Sequence, residues 1–308
     1  MERLAGRVVI VTGAGRGLGR EHALLMASEG ARLVVNDLGG DVHGDGADLT
    51  PAQTVVKEIE SAGGEAIVSG HDVADWDEAG EMVQLAIDTY GELHTIVNNA
   101  GILRDRTLHN MTADEWDAVI HVHLRGHGAP THHAMKYWRE KAKSDDPVDR
   151  PNLVHTSSAS GFIGNFGQAN YGAAKLGIVA LSQIARLEGA SFGLRSNAIG
   201  PAASTRMSGT IPGNEQSEAD AAHAAFMSPA NVSPVVAWLA TADCPANGQL
   251  FHVYGNRLIV VELTRAAADL TSDGPRFTLD ELDKVLAGRL VEPPSLANYL
   301  PAEDDIPS

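Results

Sequence analysis

Seven short runs along the chain are almost unbroken in apolar, largely β-branched residues. They are RVVIVT (7–12), ARLVVND (31–37), EAIVSGHD (65–72), LHTIVNN (93–99), NLVHTSS (152–158), RSNAI (195–199) and LFHVY (250–254). Continuous rather than alternating hydrophobicity marks strands buried on both faces. Between them, apolar positions recur with helical spacing over 17–29, 51–62, 76–90, 112–140, 169–190 and 229–241. Strand alternating with helix predicts βαβ units. The expected fold class is therefore α/β, a doubly wound parallel sheet of about seven strands with helices on both faces, over residues 1–262. Residues 263–308 fall outside the rhythm and read as a C-terminal appendage. There TLDELDKVLAG carries a Thr278–Glu281 capping box and one apolar helix face, before an acidic, Pro-rich tail.

Two further segments break the alternation. GGDVHGDGADLTP (39–51) has the spaced acids of a calcium loop, but its twelfth position, counted from Asp41, is Ala52 rather than Glu, so an ordinary solvated loop is expected. KAKSDDPVDRP (141–151) reads as a polar linker. The composition narrows the function. A formal charge of −17 argues against nucleic acid or an anionic membrane as the main partner. The single cysteine, Cys244, excludes an internal disulfide and suits a small apolar filler in a reducing compartment. No apolar run reaches the length of a membrane span, and neither a signal peptide nor a peroxisomal tripeptide is evident, so a cytoplasmic protein is expected.

Chemistry enters at VTGAGRGLGR, where glycines 13, 15, 17 and 19 join the first strand to the first helix. Backbone N–H groups bare of side chains, at a helix N-terminus, suit a pyrophosphate, and the strand–loop–helix setting is the one such a motif requires. Gly13, Arg16, Gly17, Leu18 and Gly19 are the expected contacts. Asp37 ends the second strand, where a carboxylate accepts ribose hydroxyls and repels a 2′-phosphate. That favours NAD. Arg16 pulls the other way, so NADP is the lesser alternative.

In GNFGQANYGAAKLG (164–177), Tyr171 and Lys175 stand four residues apart, one helical turn, among small neighbours. A phenol with an ordinary pKa of about 10 is a poor base at neutral pH, and a nearby ammonium favours its ionised form by about 1.4 kcal/mol per pKa unit. Lys175 and an oxidised nicotinamide together are expected to bring the Tyr171 phenol towards pH 7–8, at about 3–4 kcal/mol.

These residues, taken in order as Thr12-Gly13-x-x-x-Gly17-x-Gly19, Asn98-Asn99-Ala100-Gly101, Ser158 and Tyr171-x-x-x-Lys175, resemble the short-chain dehydrogenase/reductase family over about 250 residues. The resemblance implies a Rossmann-type domain. It implies Tyr171 as the base that takes the alcohol proton, Ser158 as the group that holds the substrate oxygen, and Lys175 as the partner of both Tyr171 and the nicotinamide ribose. It places Asp72 and Val73 beside the adenine, Asn99 and Gly101 along the cofactor cleft, and Pro201 with Thr205 at the carboxamide. Ala202 departs from the family's usual Pro-Gly. So does His123, in HVHLRG, where a catalytic Asn is common. His123 is expected to join the proton relay, since imidazole can donate, accept and titrate near neutrality. Its i, i+4 spacing with His127 also invites zinc, but no third ligand is evident, and no metal is expected.

Three longer stretches, VVNDLGGD, NNAGILRDR and ASGFIGNFGQANYGAAKLG, resemble the subgroup containing the dehydrogenase part of peroxisomal multifunctional enzyme type 2, which shares the His at position 123. This implies a stand-alone NAD-dependent enzyme acting on a (3R)-hydroxyacyl-CoA, with a 17β-hydroxysteroid or another alcohol as the alternative. A non-catalytic nucleotide-binding role is disfavoured by the intact Ser158, Tyr171 and Lys175. Residues 204–229 are expected to form a lid over the substrate, with Met207, Ile211, Phe226 and Met227 either touching a lipid chain or packing the core. Arg104, Arg106 and Arg206 are candidate CoA cations or members of internal ion pairs. The helices over 112–140 and 169–190 have small-residue faces, and the family pairs them between subunits. A homodimer or homotetramer is expected.

Overall fold

The structure is a computed structural model of the chain and describes residues 2–41, 43–144, 146–204, 221–264, 267–270, 278–288, 291, 293, 294 and 299. Seven parallel strands appear where the apolar runs stand: β1 (Val8–Thr12), β2 (Arg32–Asn36), β3 (Glu65–Ser69), β4 (Thr95–Asn98), β5 (Asn152–Thr156), β6 (Arg195–Pro201) and β7 (Leu250–Tyr254). An eighth, β8 (Arg257–Val261), pairs antiparallel with β7 and closes the order β3-β2-β1-β4-β5-β6-β7-β8. This strand is an addition to the seven expected. Its signal is the Gly255-Asn256 pair between two apolar runs, a two-residue hairpin connection, with Gly255 at a φ of +51°. The order reverses between β1 and β4. In an open α/β sheet, ligand clefts form outside the carboxyl ends of the strands at such a reversal.

The β-branched strands are buried on both faces because helices cover both. Val9, Val11, Val97, Val154 and Ile199 pack against α1 (Gly17–Ser28), α2 (Thr50–Ser61) and α9 (Ser233–Ala240). Val8, Ile10, Ile96 and Leu153 pack on the opposite side against α3 (Trp76–Tyr90) and α5 (Gly126–Lys141). Trp138 of α5 is fully enclosed there and donates to the Leu93 carbonyl at 2.7 Å, satisfying its indole N–H. Cys244 is buried in the first of these cores.

The run 112–140 is not one helix. Residues Ala113–Ile120 form α4, which opens with a Thr112–Glu115 capping box. A π-helical turn, His121–Arg125, then leads into α5. Gly126, Gly128 and Pro130 weaken α-helical bonding at that point, and Pro130 has no N–H to return to the Gly126 carbonyl. The π turn sets His123 inward. Single-turn π insertions within helices are found mostly at functional sites. After β5 come a four-residue helix, α6 (Ala159–Phe162), and then α7 (Ala169–Glu188). Further α-helices among the described residues are α8 (Ala221–Phe226) and, beyond the sheet, α10 (Leu279–Leu286), where the expected capping box is present. Among the described residues no helix is long and apolar enough to cross a membrane.

Candidate active site

The carboxyl ends of β1, β4 and β5 present three loops to one cleft. Glycine is required in the first. Gly13 has a φ of +62°, and a Cβ there would lie 2.8 Å from Ala100 Cα. A Cβ on Gly15 would lie 2.8 Å from Asp37 Oδ2. Asp37 accepts from Gly15 N–H and Gly39 N–H, both at 2.7 Å, one on each carboxylate oxygen. Each oxygen keeps a lone pair for another donor. Asn99 fastens the loop from the β4 side, donating to the Thr12 and Gly13 carbonyls at 3.0 and 3.2 Å. Thr12 Oγ1 in turn accepts from the Asn99 and Ala100 N–H groups. A cavity of about 430 Å³ opens beside the loop, lined by Arg16, Arg20, Asp48 and Thr50 with Gly15 and Gly17. Hydrogen bonds from Thr50 hold the Asp48 carboxyl down, with a small contribution from Arg16, and Arg20 is paired with Glu21 and Glu58.

Of the other expected cofactor residues, Asp72 caps its own turn by accepting from Ala74 N–H, Val73 is buried, and Pro201 ends β6. Leu18 lies in the first turn of α1 and packs partly buried against the core. Thr205 lies outside the described residues, as do Arg206, Met207 and Ile211 of the anticipated lid. Phe226 packs in the core against Tyr254. Arg104 reaches the His43 carbonyl and Asp45, and Arg106 pairs with Glu115 at 2.7 Å. Both take the ion-pair alternative.

Ser158, Tyr171 and Lys175 come together. Ser158 caps α6, its hydroxyl accepting from Ser160 N–H at 3.2 Å, and it stands near enough to the Tyr171 phenol to favour its ionised form. Small residues let α6 and α7 approach closely: a Cβ on Gly161 would lie 2.8 Å from Leu176 N, and one on Gly172 would lie 2.9 Å from the Ser160 carbonyl oxygen. Lys175 is 2% exposed, and its Nζ donates to the Thr156 carbonyl at 2.6 Å, 5.4 Å from the centre of the Tyr171 ring. Asn170 pins the start of α7. It donates to the Arg104 and Glu115 carbonyls and accepts from Tyr171 N–H.

In the protein alone, Lys175 does not bring the phenol down. Burial pushes Tyr171 up to about 12, the nearby Ser158 hydroxyl pulls the other way, and the nearby Asp105 carboxylate adds to the rise. Burial also draws Lys175 down to about 7. Loss of water disfavours the charged form of each, and the protein's own groups leave the pair as phenol and easily deprotonated amine. Asp105 is a member of this site that the sequence reading missed. Its Oδ2 accepts from Gln168 at 2.7 Å, burial pushes its carboxyl up, and Oδ1 is buried with no partner.

His123 does stand beside the tyrosine, its ring edge-on to Tyr171 at 5.1 Å between centres. Its Nε2 faces the Ile102 carbonyl at 2.8 Å, and a Cβ on Gly101 would run into the ring. Complete burial and the Lys175 charge hold it well below its usual pKa, so it is a neutral imidazole near pH 7 rather than one that titrates there.

Comparison with known proteins agrees with this geometry. The short chain dehydrogenase family matches residues 7–216. Hydroxyacyl-CoA dehydrogenase ChsB1 of Mycobacterium tuberculosis is 40% identical over 289 residues, covering 92% of this chain and 88% of that one. Peroxisomal multifunctional enzyme type 2 of Mus musculus is 43% identical over 252 residues, which is 82% of this chain but 32% of that longer enzyme. The crystal structure of a short chain dehydrogenase from Mycobacterium avium superposes with a TM-score of 0.82 at 43% identity, covering 94% of this chain and 97% of that one. The glycine loop at the sheet's reversal point, the Ser158, Tyr171 and Lys175 cluster and these matches lead to one assignment: the chain belongs to the short-chain dehydrogenase/reductase family of oxidoreductases.

Proposed function

We propose that the protein is an NAD-dependent dehydrogenase that interconverts a (3R)-hydroxyacyl-CoA and its 3-keto form. The observation that carries this reading is the convergence of Ser158, Tyr171 and Lys175 beside a glycine cradle that any Cβ would fill. The residues present fit a dinucleotide. Backbone N–H groups at the start of α1 suit its pyrophosphate, and Asp37 keeps lone pairs for ribose hydroxyls. Arg20 is tied to Glu21 and Glu58, which leaves less free positive charge at this cavity for a 2′-phosphate and supports NAD over NADP. When bound, the oxidised dinucleotide supplies the hydride acceptor and a positive charge. Ser158 orients the substrate oxygen. Tyr171 takes the hydroxyl proton on oxidation, or gives its own on reduction, and Lys175 balances its charge. Ionising a phenol at about 12 near neutral pH costs about 1.4 kcal/mol per pKa unit, so positive charge beside it must offset several kcal/mol.

The acyl-CoA class rests on the two relatives named for that chemistry or for a multifunctional peroxisomal role. A homo-oligomer is supported by the exposed apolar residues Leu176, Ile184 and Leu187 along the outer face of α7. The test is formation of reduced dinucleotide from a (3R)-3-hydroxyacyl-CoA, its 3S epimer and a 17β-hydroxysteroid, each with NAD and NADP. The 3R thioester with NAD is expected to exceed every other pairing by about tenfold or more. Turnover confined to the steroid would replace the substrate class, and no turnover with any alcohol would end the enzyme reading.

A further inference from the structure

The π turn touches two parts of the cleft at once. Residues two apart on a helix do not share a face, and His123 and Arg125 diverge accordingly. His123 is turned inward, against Tyr171 and the Ile102 backbone. Arg125 reaches instead to the turn between β3 and α3. Its Nε donates to the Ala74 carbonyl at 2.7 Å, and its guanidinium carbon lies over the Trp76 ring, 5.7 Å from the centre. Gly126, the next residue, is bare where that turn approaches: a Cβ there would lie 2.9 Å from Val73 Cγ2.

The Ala74 carbonyl needs such a donor. Ala74 is fully buried, and α3 begins just beyond it, with its first backbone bond running from Ala79 N–H to the Asp75 carbonyl. The helix therefore serves Asp75 and leaves Ala74 to Arg125. The other side of the turn is tied to β2. Asn36 Nδ2 donates to the His71 carbonyl at 2.9 Å, and Asp37 N–H donates to the Ser69 carbonyl at 3.0 Å. Within the turn, Asp72 N–H donates to Glu78 Oε2 at 2.7 Å. Residues 71–74 are thus fastened beside Asp37 by β2 on one flank and by Arg125 on the other.

The order β3-β2-β1 gives this turn its use. A pyrophosphate on the glycine loop after β1 and a ribose at Asp37 after β2 run along the carboxyl edge of the sheet, and the base that follows meets the turn after β3. We infer that, given the dinucleotide reading above, Arg125 is a positioning residue for the adenosine half: without touching it, Arg125 holds residues 72–74 in place to receive the base.

Wild type, Arg125→Met and Arg125→Lys are compared by calorimetric titration with NAD and with ADP-ribose, which lacks the nicotinamide. Methionine keeps an aliphatic stem but loses the donor and the charge, and lysine keeps both. Arg125→Met is expected to lose about tenfold or more in affinity for both ligands, and Arg125→Lys to stay within about threefold of wild type. In steady-state kinetics the loss in Arg125→Met is expected in KM for NAD, with kcat at saturating NAD within about threefold of wild type. Because the side chain is exposed, the melting midpoint without ligand is expected to move by no more than about 2 °C. Wild-type affinity for ADP-ribose in Arg125→Met would overturn the inference. So would an equal loss in Arg125→Lys, or a loss shared by kcat and the melting midpoint, which would make Arg125 a general brace of the fold. Should Arg125→Met fail to fold, Arg125→Gln decides in its place: weakened ADP-ribose binding is expected, and wild-type binding would contradict the role. A wild type that binds neither ligand would instead end the dinucleotide reading, and the role of Arg125 with it.

Discussion

Tyr171→Phe is expected to lower kcat by about 10²–10⁴-fold while leaving dinucleotide affinity within about threefold of wild type. The substitution removes one oxygen atom and nothing that shapes the cleft. Asn170 still pins the start of α7 through backbone partners, Lys175 still reaches the Thr156 carbonyl, and the ring can keep its edge-on contact with His123. What disappears is the oxygen that the proposal has moving the proton, beside Ser158. Removing one oxygen from a part-buried ring is not costly, so the thermal midpoint is expected to hold or rise. Steady-state kinetics, calorimetric titration with NAD and a melting curve on the same preparation separate these effects. A loss of affinity equal to the loss of kcat would make Tyr171 a binding residue only.

Gly19→Ala is the second large effect, and it acts on binding. A Cβ at this position would fall inside the Gly13 carbonyl oxygen, and it would also lie 2.8 Å from Gly13 C and 2.7 Å from Asn99 Nδ2. Contacts this short involve backbone, which has no rotamer to retreat to. Relief requires α1 to move off the loop, which also pulls on the Asn99 hydrogen bonds to the Thr12 and Gly13 carbonyls. Overpacking of this kind costs about 1–3 kcal/mol in stability. Because the displaced N–H groups are those the proposal assigns to the pyrophosphate, NAD affinity is expected to fall at least about tenfold, read by calorimetry. Gly128→Ala makes the control. Nothing lies within 4 Å of its Cβ position in α5, so stability is expected to stay within about 1 kcal/mol of wild type. Wild-type affinity in Gly19→Ala would show that the loop is not the cradle.

How much of this was legible beforehand depends on which physical force set each feature. The seven parallel strands were, because burial on both faces forces continuous apolar runs, and Val8–Thr12 or Thr95–Asn98 have no other reading in an alternating chain. The glycine loop was too, since backbone approach leaves glycine as its trace. β8 was not read, although Gly255-Asn256 announces a hairpin, because an exposed edge strand such as Arg257–Val261 lacks the buried-strand pattern. The π turn was hidden for a different reason. Apolar spacing over 112–140 is compatible with a continuous helix, and only Gly126, Gly128 and Pro130 hint at the break that turns His123 inward. Asp105 and Gln168 join the site by long-range packing, which no local spacing encodes. The rise of Tyr171 in the protein alone was not legible, because sequence shows the neighbouring charge but not the loss of water, which is the larger effect.

The central claim is therefore electrostatic: the chain by itself keeps Tyr171 a phenol, and positive charge brought by the oxidised dinucleotide makes it a base. The protein has five tyrosines, so ¹³Cζ-tyrosine NMR with Tyr171→Phe as the assignment resolves the group directly. In the protein alone the Tyr171 signal is expected to remain at the phenol position until well above pH 10, with its midpoint at about 12. With saturating oxidised NAD, the midpoint is expected to drop by several units. A phenolate signal near neutral pH in the protein alone, or a midpoint that oxidised NAD leaves unmoved, would contradict the account.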